Sequence, residues 1–269
     1  MKLGYINYLN CYPFYFHMFE KKPLPDVEVI PAYPSQLNAM IKEGKLAMSP
    51  ISAAAYAEGY NDLVLLPDFC LSSVGYVRSV ILVSKKPIEN LNYSTVGLSS
   101  ASQTSVVLLK ILLQKYYGLV PHYIPSDPYA TLHEVDAKLV IGNEAMMHET
   151  EPLPYVYDLG DLWLNKTGYP VVFAVFAVRN DVLDSNEKTI NAVCQSYQTS
   201  LLQLKNNAPE LIACASLRYP DIAYDIATYY TLLKFEFTSQ LKEALMFYFS
   251  SAHELGLLPY IPSLQFYGR

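Results

Sequence analysis

Short apolar stretches that end in a polar turn and give way to a helix recur along the first third of the chain. That alternation limits the fold more than any other feature. Lys2 to Ile6 reads as a strand and Asn7 to Cys11 as a polar turn. Pro13 then opens a helix through about Glu20, since proline suits a first helical turn. Val27 to Ala32 is predicted as a strand, Pro34 to Glu43 as a helix closed by Gly44, and Lys45 to Met48 as a third strand. Ser49-Pro50-Ile51-Ser52 reads as a further strand-to-helix turn, before a helix from Ala53 to Glu58 and a strand from Leu63 to Pro67. Alternating units imply a parallel sheet whose turns gather at one edge, where open α/β sheets bind ligands. Asn10, Ser49 and Ser52 therefore stand as helix-cap and ligand-contact candidates at once.

Ser72 to Ser84, SSVGYVRSVILVS, reads as one strand leaving this first series. Strict alternation puts Ser79 on the face of Gly75, Val77, Ile81 and Val83 and turns Arg78 to the other face. Ser79 is then the lone hydroxyl on an apolar strip. A second series follows, with a strand from Thr95 to Leu98, the polar cluster Ser99 to Ser105, and an apolar helix from Val106 to Tyr117. A cap needs one hydroxyl, so the surplus at this helix N-terminus marks the Ser99 to Ser105 cluster as an anion seat. Lys138 to Ile141 and Tyr155 to Leu159 extend the second sheet, and Val171 to Val178 is long enough to cross back. From Asp184 to about Leu257 the pattern is helical, broken near Pro209 and Pro220. The order describes an α/β, two-lobed binding-protein architecture with two crossing strands and a central cleft. Lobe one spans 1–82 plus 179–269, and lobe two spans 83–178.

Composition removes several function classes. Net charge is −6 with no basic stripe, which argues against a nucleic-acid partner. The four cysteines lack a CxxC pair or metal-ligand spacing, so they read as free thiols, and neither a metal nor a cofactor is expected. No apolar run approaches the roughly 18 residues of a membrane span, and the N-terminus lacks the basic flank and apolar core of a secretion signal. No membrane partner and a cytoplasmic location are the expectation. The apolar C-terminal helices read either as core or as the surface of a homodimer.

The segments GYINYLNCYP, SPISAAAYA, SSVGYVRSVILVS, GLSSASQTSVVLLKILL and DLGDLWLNKTGYPVVFAVF occur in this order between Gly4 and Phe176. They resemble the menaquinone-biosynthesis family of the futalosine pathway, and most closely its chorismate dehydratase branch. The resemblance implies a periplasmic-binding-protein-like (type II) fold turned to catalysis in the cytoplasm. The implied reaction removes water from chorismate to give 3-[(1-carboxyvinyl)oxy]benzoate. Positions matching the residues tied to that activity are Asn10 and Ser79. Ser102, Thr104 and Ser105 would then seat the ring carboxylate, while Trp163, Thr167 and Gly168 form a wall that closes on the ring. Ser49 and Ser52 complete the expected substrate contacts. His17, His122, His133, His148 and His253 all lie outside the blocks, so almost no acid or base suited to a carbon-bound proton stands there. The substrate's own enolpyruvyl carboxylate is expected to take that proton, with Asp158, Asp161 and Glu144 as competing bases. One departure stands out: Gly142 is followed by Asn143, where the family usually carries Asp. The alternatives are the pathway's 1,4-dihydroxy-6-naphthoate synthase, whose pocket is thought to employ a histidine, and a solute-binding protein for a small carboxylate.

Overall fold

The computed structural model describes residues 1–127, 132–147 and 154–268, which leaves His148 outside the described residues. The first lobe is built on a six-stranded sheet. Its strands are β1 (Lys2–Ile6), β2 (Glu28–Ala32), β3 (Met48–Ser52), β4 (Leu63–Ser73), β10 (Val171–Arg179) and β11 (Leu233–Glu236), in the order β11-β4-β10-β3-β1-β2. β1 runs parallel to β2 and β3, as βαβ crossovers through α1 (Tyr12–Phe16) and α2 (Pro34–Lys42) require. β10 returns antiparallel between β3 and β4, and β11 closes the edge against β4. The second sheet has five strands: β5 (Val80–Ser84), β6 (Thr95–Ser99), β7 (His122–Ser126), β8 (Ala137–Ile141) and β9 (Tyr155–Asp158), ordered β7-β6-β8-β5-β9. Helices α3 (Ala53–Gly59), α4 (Gln103–Ile111) and α5 (Leu159–Thr167) follow β3, β6 and β9, and α6 (Leu183–Asn206) to α9 (Ser239–Glu254) wrap the outside, with α7 (Ala208–Arg218) and α8 (Ile226–Leu232) between them. The α/β two-sheet architecture matches the expectation.

Three local readings change. The stretch from Ser72 to Ser84 is not one strand. β4 ends at Ser73 and β5 begins at Val80, because Gly75 (φ 77°) and Arg78 (φ 66°) take left-handed backbone that no strand accommodates. The alternation argument therefore fails over Val74 to Ser79, the segment that links the two sheets. Second, Ser49 and Ser52 lie within β3 rather than in the turn after it. Pro50 is tolerated there because β3 touches β1 only at Met48, and the Ser52 N–H turns instead to Asn38 Oδ1 at 3.0 Å. Third, Leu233–Glu236 is a strand inside a region read as helical, and its apolar-polar alternation, Leu-Lys-Phe-Glu, is the period-2 signal that was there to find.

Candidate functional site

The site forms where the linking segment passes between the lobes. β1 ends at Ile6, and the turn that follows carries Asn10 toward α1. The helix is capped at Cys11 without a side-chain bond, so Asn10 is not a helix cap. The turn is held from both sides. Leu9 N–H donates to Asn143 Oδ1 at 2.8 Å, and the Leu9 carbonyl accepts from Tyr230 O–H at 3.2 Å. Asn143 thus supplies through its amide the acceptor that Asp would supply, and no charge is needed for that role.

Ser79 is 1% exposed although it stands outside regular structure. Its carbonyl accepts from Gly142 N–H at 2.7 Å, and its hydroxyl accepts from Tyr229 O–H at 2.8 Å. Asp158 fixes the same segment from the second lobe. Its carboxylate accepts from Val77 N–H at 3.1 Å and Arg78 N–H at 2.6 Å while also capping α5 through Asp161 N–H at 3.1 Å. Burial raises the Asp158 pKa above the usual carboxylate value, and these backbone bonds offset only part of that. Gly160 permits the contact, since a Cβ there would come within 2.3 Å of the Gly75 carbonyl. Arg78 itself stacks over Tyr224, 5.5 Å from the ring centre, and does not reach the cleft.

Between the lobes lies a small cavity of roughly 50 Å³, lined by Asn10, Ser52, Ser72, Ser79, Ser102 and Ser105. Its apolar walls are Ile6, Tyr8, Pro34, Val77, Ile141 and Phe173, among others, and among the described residues no charged side chain lines it. Gly142 also borders the cavity in left-handed backbone (φ 67°), and a Cβ there would fall 2.5 Å from the Tyr8 ring. Ser102 caps α4 by accepting from Ser105 N–H at 3.3 Å and donates to Ser105 Oγ at 3.1 Å. The first turn of α4 therefore faces the cavity with hydroxyls and a positive dipole end. Asn10 Oδ1 is buried with no hydrogen-bond partner among the described residues, an unmet acceptor at the wall of the site.

Five expected residues sit elsewhere. Ser49 packs against Gly4 in the sheet and donates to the Pro50 carbonyl at 2.8 Å. Thr104 turns to the first lobe, its Oγ1 accepting from Ala54 N–H at 3.2 Å. Trp163 is fully buried among Tyr116, Phe247 and Tyr248. Thr167 donates to the Trp163 carbonyl at 2.7 Å, and Gly168 (φ 76°) ends α5 in a left-handed cap. The apolar lining of the cavity includes Phe173, Ile141 and Val77. Sequence reasoning missed Tyr8 as a lining residue, although it lies inside the YLN block, and Tyr229, which nothing local distinguishes from the chain's other tyrosines.

The lobes are closed on each other. Besides the Leu9–Asn143 bond, Ser35 N–H donates to the Ala101 carbonyl at 3.1 Å, and Tyr8 O–H reaches Glu144 Oε1 at 3.4 Å. Small-molecule pockets commonly measure about 300–1,000 Å³, so a ring-sized ligand enters only if the lobes part. Among the described residues, no helix is long and apolar enough to cross a membrane.

The fold is shared with the periplasmic aliphatic sulphonate binding protein of Escherichia coli, at TM-score 0.68 and 14% identity over 100% of this chain and 94% of that one. Among curated proteins, the chain is similar to the chorismate dehydratase of Thermus thermophilus, 34% identical over 66% of this chain and 70% of the relative. It is less similar to the 1,4-dihydroxy-6-naphthoate synthase of the same organism, 26% identical over 61% of this chain and 59% of that protein. The model of the menaquinone biosynthesis family matches residues 1–254. With that match across both lobes and the cleft between them, the chain belongs to the menaquinone biosynthesis family.

Proposed function

We propose that this chain is a chorismate dehydratase, a carbon–oxygen lyase that converts chorismate to 3-[(1-carboxyvinyl)oxy]benzoate. The observation that carries the reading is the composition of the cavity: among the described residues, hydroxyls and one amide around apolar walls, without a charged side chain. Such a lining suits a substrate that brings its own carboxylates and its own base. In this reading the α4 N-terminus, with Ser102 and Ser105, receives the ring carboxylate. Asn10 and Ser79 hold the enolpyruvyl carboxylate against C3 and contact the C4 hydroxyl.

The elimination then balances without a protein acid or base. The carboxylate takes the C3 proton, the C3–H electron pair becomes ring π density, and the C4–O bond breaks. The departing hydroxide takes up the proton that the carboxylate gained and leaves as water. Ser79 and Asn10 orient these two oxygens, and fixed dipoles in a water-excluded site supply several kcal/mol of stabilisation. Closure about the Val74–Ser79 link, between the lobe of the six-stranded sheet, which keeps Val171–Arg179, and the lobe of the five-stranded sheet, which takes in Val80–Ser84, would shut out bulk water. A cytoplasmic site of action goes with this reading.

The test is to incubate metal-free protein with chorismate and identify the product by mass. Loss of one water supports the dehydratase. Binding without turnover would favour a solute receptor, and neither binding nor turnover would favour the naphthoate synthase of the same family.

A further inference from the structure

Tyr229 sits behind the cavity rather than in its lining, at the centre of a hydrogen-bond chain that joins the two residues assigned to the reaction. It lies on α8, whose start is set by Asp225 accepting from Thr228 N–H at 2.7 Å. The helix buries Ile226, Tyr229 and Tyr230, and Tyr229 is 0% exposed. Its hydroxyl donates to Ser79 Oγ at 2.8 Å and also meets the Asn10 side chain. Asn10 Oδ1 has no partner among the described residues, so the group that Asn10 offers Tyr229 is its amide nitrogen.

A phenol has one proton to give. With that proton on Ser79 Oγ, the serine's own hydrogen is free to point into the cavity. With the Asn10 amide nitrogen donating to the phenol oxygen, the Asn10 carbonyl oxygen is left as the acceptor for a ligand. We propose that Tyr229 is the positioning residue that fixes the hydrogen-bond polarity of the site, making Ser79 the donor and the Asn10 carbonyl the acceptor. This rests on the roles given to Asn10 and Ser79 above and adds the group that sets them. It also assigns their targets. The Ser79 O–H meets an oxygen that carries negative charge, and Asn10 Oδ1 meets one that carries a proton, such as an alcohol. Burial holds the Tyr229 hydroxyl well above its ordinary pKa, so it keeps its proton across the working pH range.

The test uses Tyr229→Phe, which removes one buried oxygen and keeps the ring. In the intact protein, chorismate turnover is measured for the wild type, Tyr229→Phe, Ser79→Ala and the double variant. The expected result is a kcat lowered about 10- to 100-fold in Tyr229→Phe with KM within about threefold. In the Ser79→Ala background the same change has a smaller effect on kcat, because only the share that acts through Asn10 remains. The side-chain amide resonances of Asn10, identified by their loss in Asn10→Ala, give a readout independent of turnover and shift in Tyr229→Phe. If that variant does not fold, Ser79→Ala reads the same chain from its other end. The phenol proton then loses its acceptor, and the Asn10 amide that donates to the phenol oxygen shifts. Unmoved amide resonances, or an equal kcat loss with and without Ser79, overturn the proposal. A wild type that does not consume chorismate while its Asn10 resonances still shift in Tyr229→Phe removes the dehydratase reading and leaves the polarity assignment standing.

Discussion

Replacing Gly142 with alanine separates backbone strain from the packing of the cavity. Gly142 has φ 67°, and an added Cβ would lie 2.5 Å from two carbons of the Tyr8 ring and 2.7 Å from a third. Gly168 is the natural comparison, with φ 76° and nothing within 4 Å of its added Cβ. Both substitutions place a side chain in left-handed backbone, at roughly 1–2 kcal/mol each. Only Gly142→Ala must also displace a packed ring, which costs about 1–3 kcal/mol more. For a chain of this size, that excess lowers the unfolding midpoint by about 2–12 °C relative to Gly168→Ala. Because Tyr8 lines the cavity and Gly142 N–H holds the Ser79 carbonyl, Gly142→Ala also raises KM for the substrate, while Gly168→Ala leaves it unchanged. Thermal unfolding of the two variants side by side, with steady-state kinetics, reads both effects. Equal midpoints and equal KM values would refute the close seating of Tyr8 on Gly142.

Asn143→Asp keeps an acceptor for Leu9 N–H and costs less than about 1 kcal/mol, whereas Asn143→Leu strands that donor and costs about 1–3 kcal/mol; urea unfolding of both checks this. Asp136 accepts from Thr95 N–H at 2.9 Å and pairs with Lys86 at 3.1 Å, which lowers its pKa below the usual carboxylate value. Its stabilising contribution is present above the unfolded value and is lost as pH falls through the lowered one, so Asp136→Asn flattens the acid limb of stability against pH below about 4. Asp158 has the opposite sign. Its raised pKa gives a contribution present below 3.8 and lost as pH rises through the folded value, and Asp158→Asn removes that slope in the same titration. Trp163→Phe lowers stability by about 1–3 kcal/mol and leaves KM within about threefold, because the indole is core rather than a wall of the cavity.

The features legible in the sequence were those set by local pattern. A polar turn after an apolar strand marked Asn10, and a surplus of hydroxyls before an apolar helix marked Ser102 and Ser105; all three line the cavity. Ser79 also lines it, but the periodicity that first singled it out does not hold there. Two left-handed residues, Gly75 and Arg78, break the strand, and a non-glycine left-handed residue gives no signal in an apolar run. Trp163 shows the converse. A lone tryptophan in a matching block invites a functional role, yet a large aromatic gains most from full burial, and here it is fully buried. Thr104 belongs to the same cluster, but its hydroxyl accepts from Ala54 N–H and does not line the cavity, a direction that composition alone does not give. Tyr229 was beyond reach because its partner Ser79 lies 150 residues away in the chain.

The most direct test of the account compares chorismate turnover by Ser79→Ala and Asn10→Ala with turnover by Glu144→Gln and Asp161→Asn. Substrate-assisted elimination requires the first pair to lose roughly 100-fold or more in kcat, and the second pair to stay within about tenfold of the wild type. Abolished turnover in the carboxylate variants with activity spared in Ser79→Ala would contradict it and place the base on the protein.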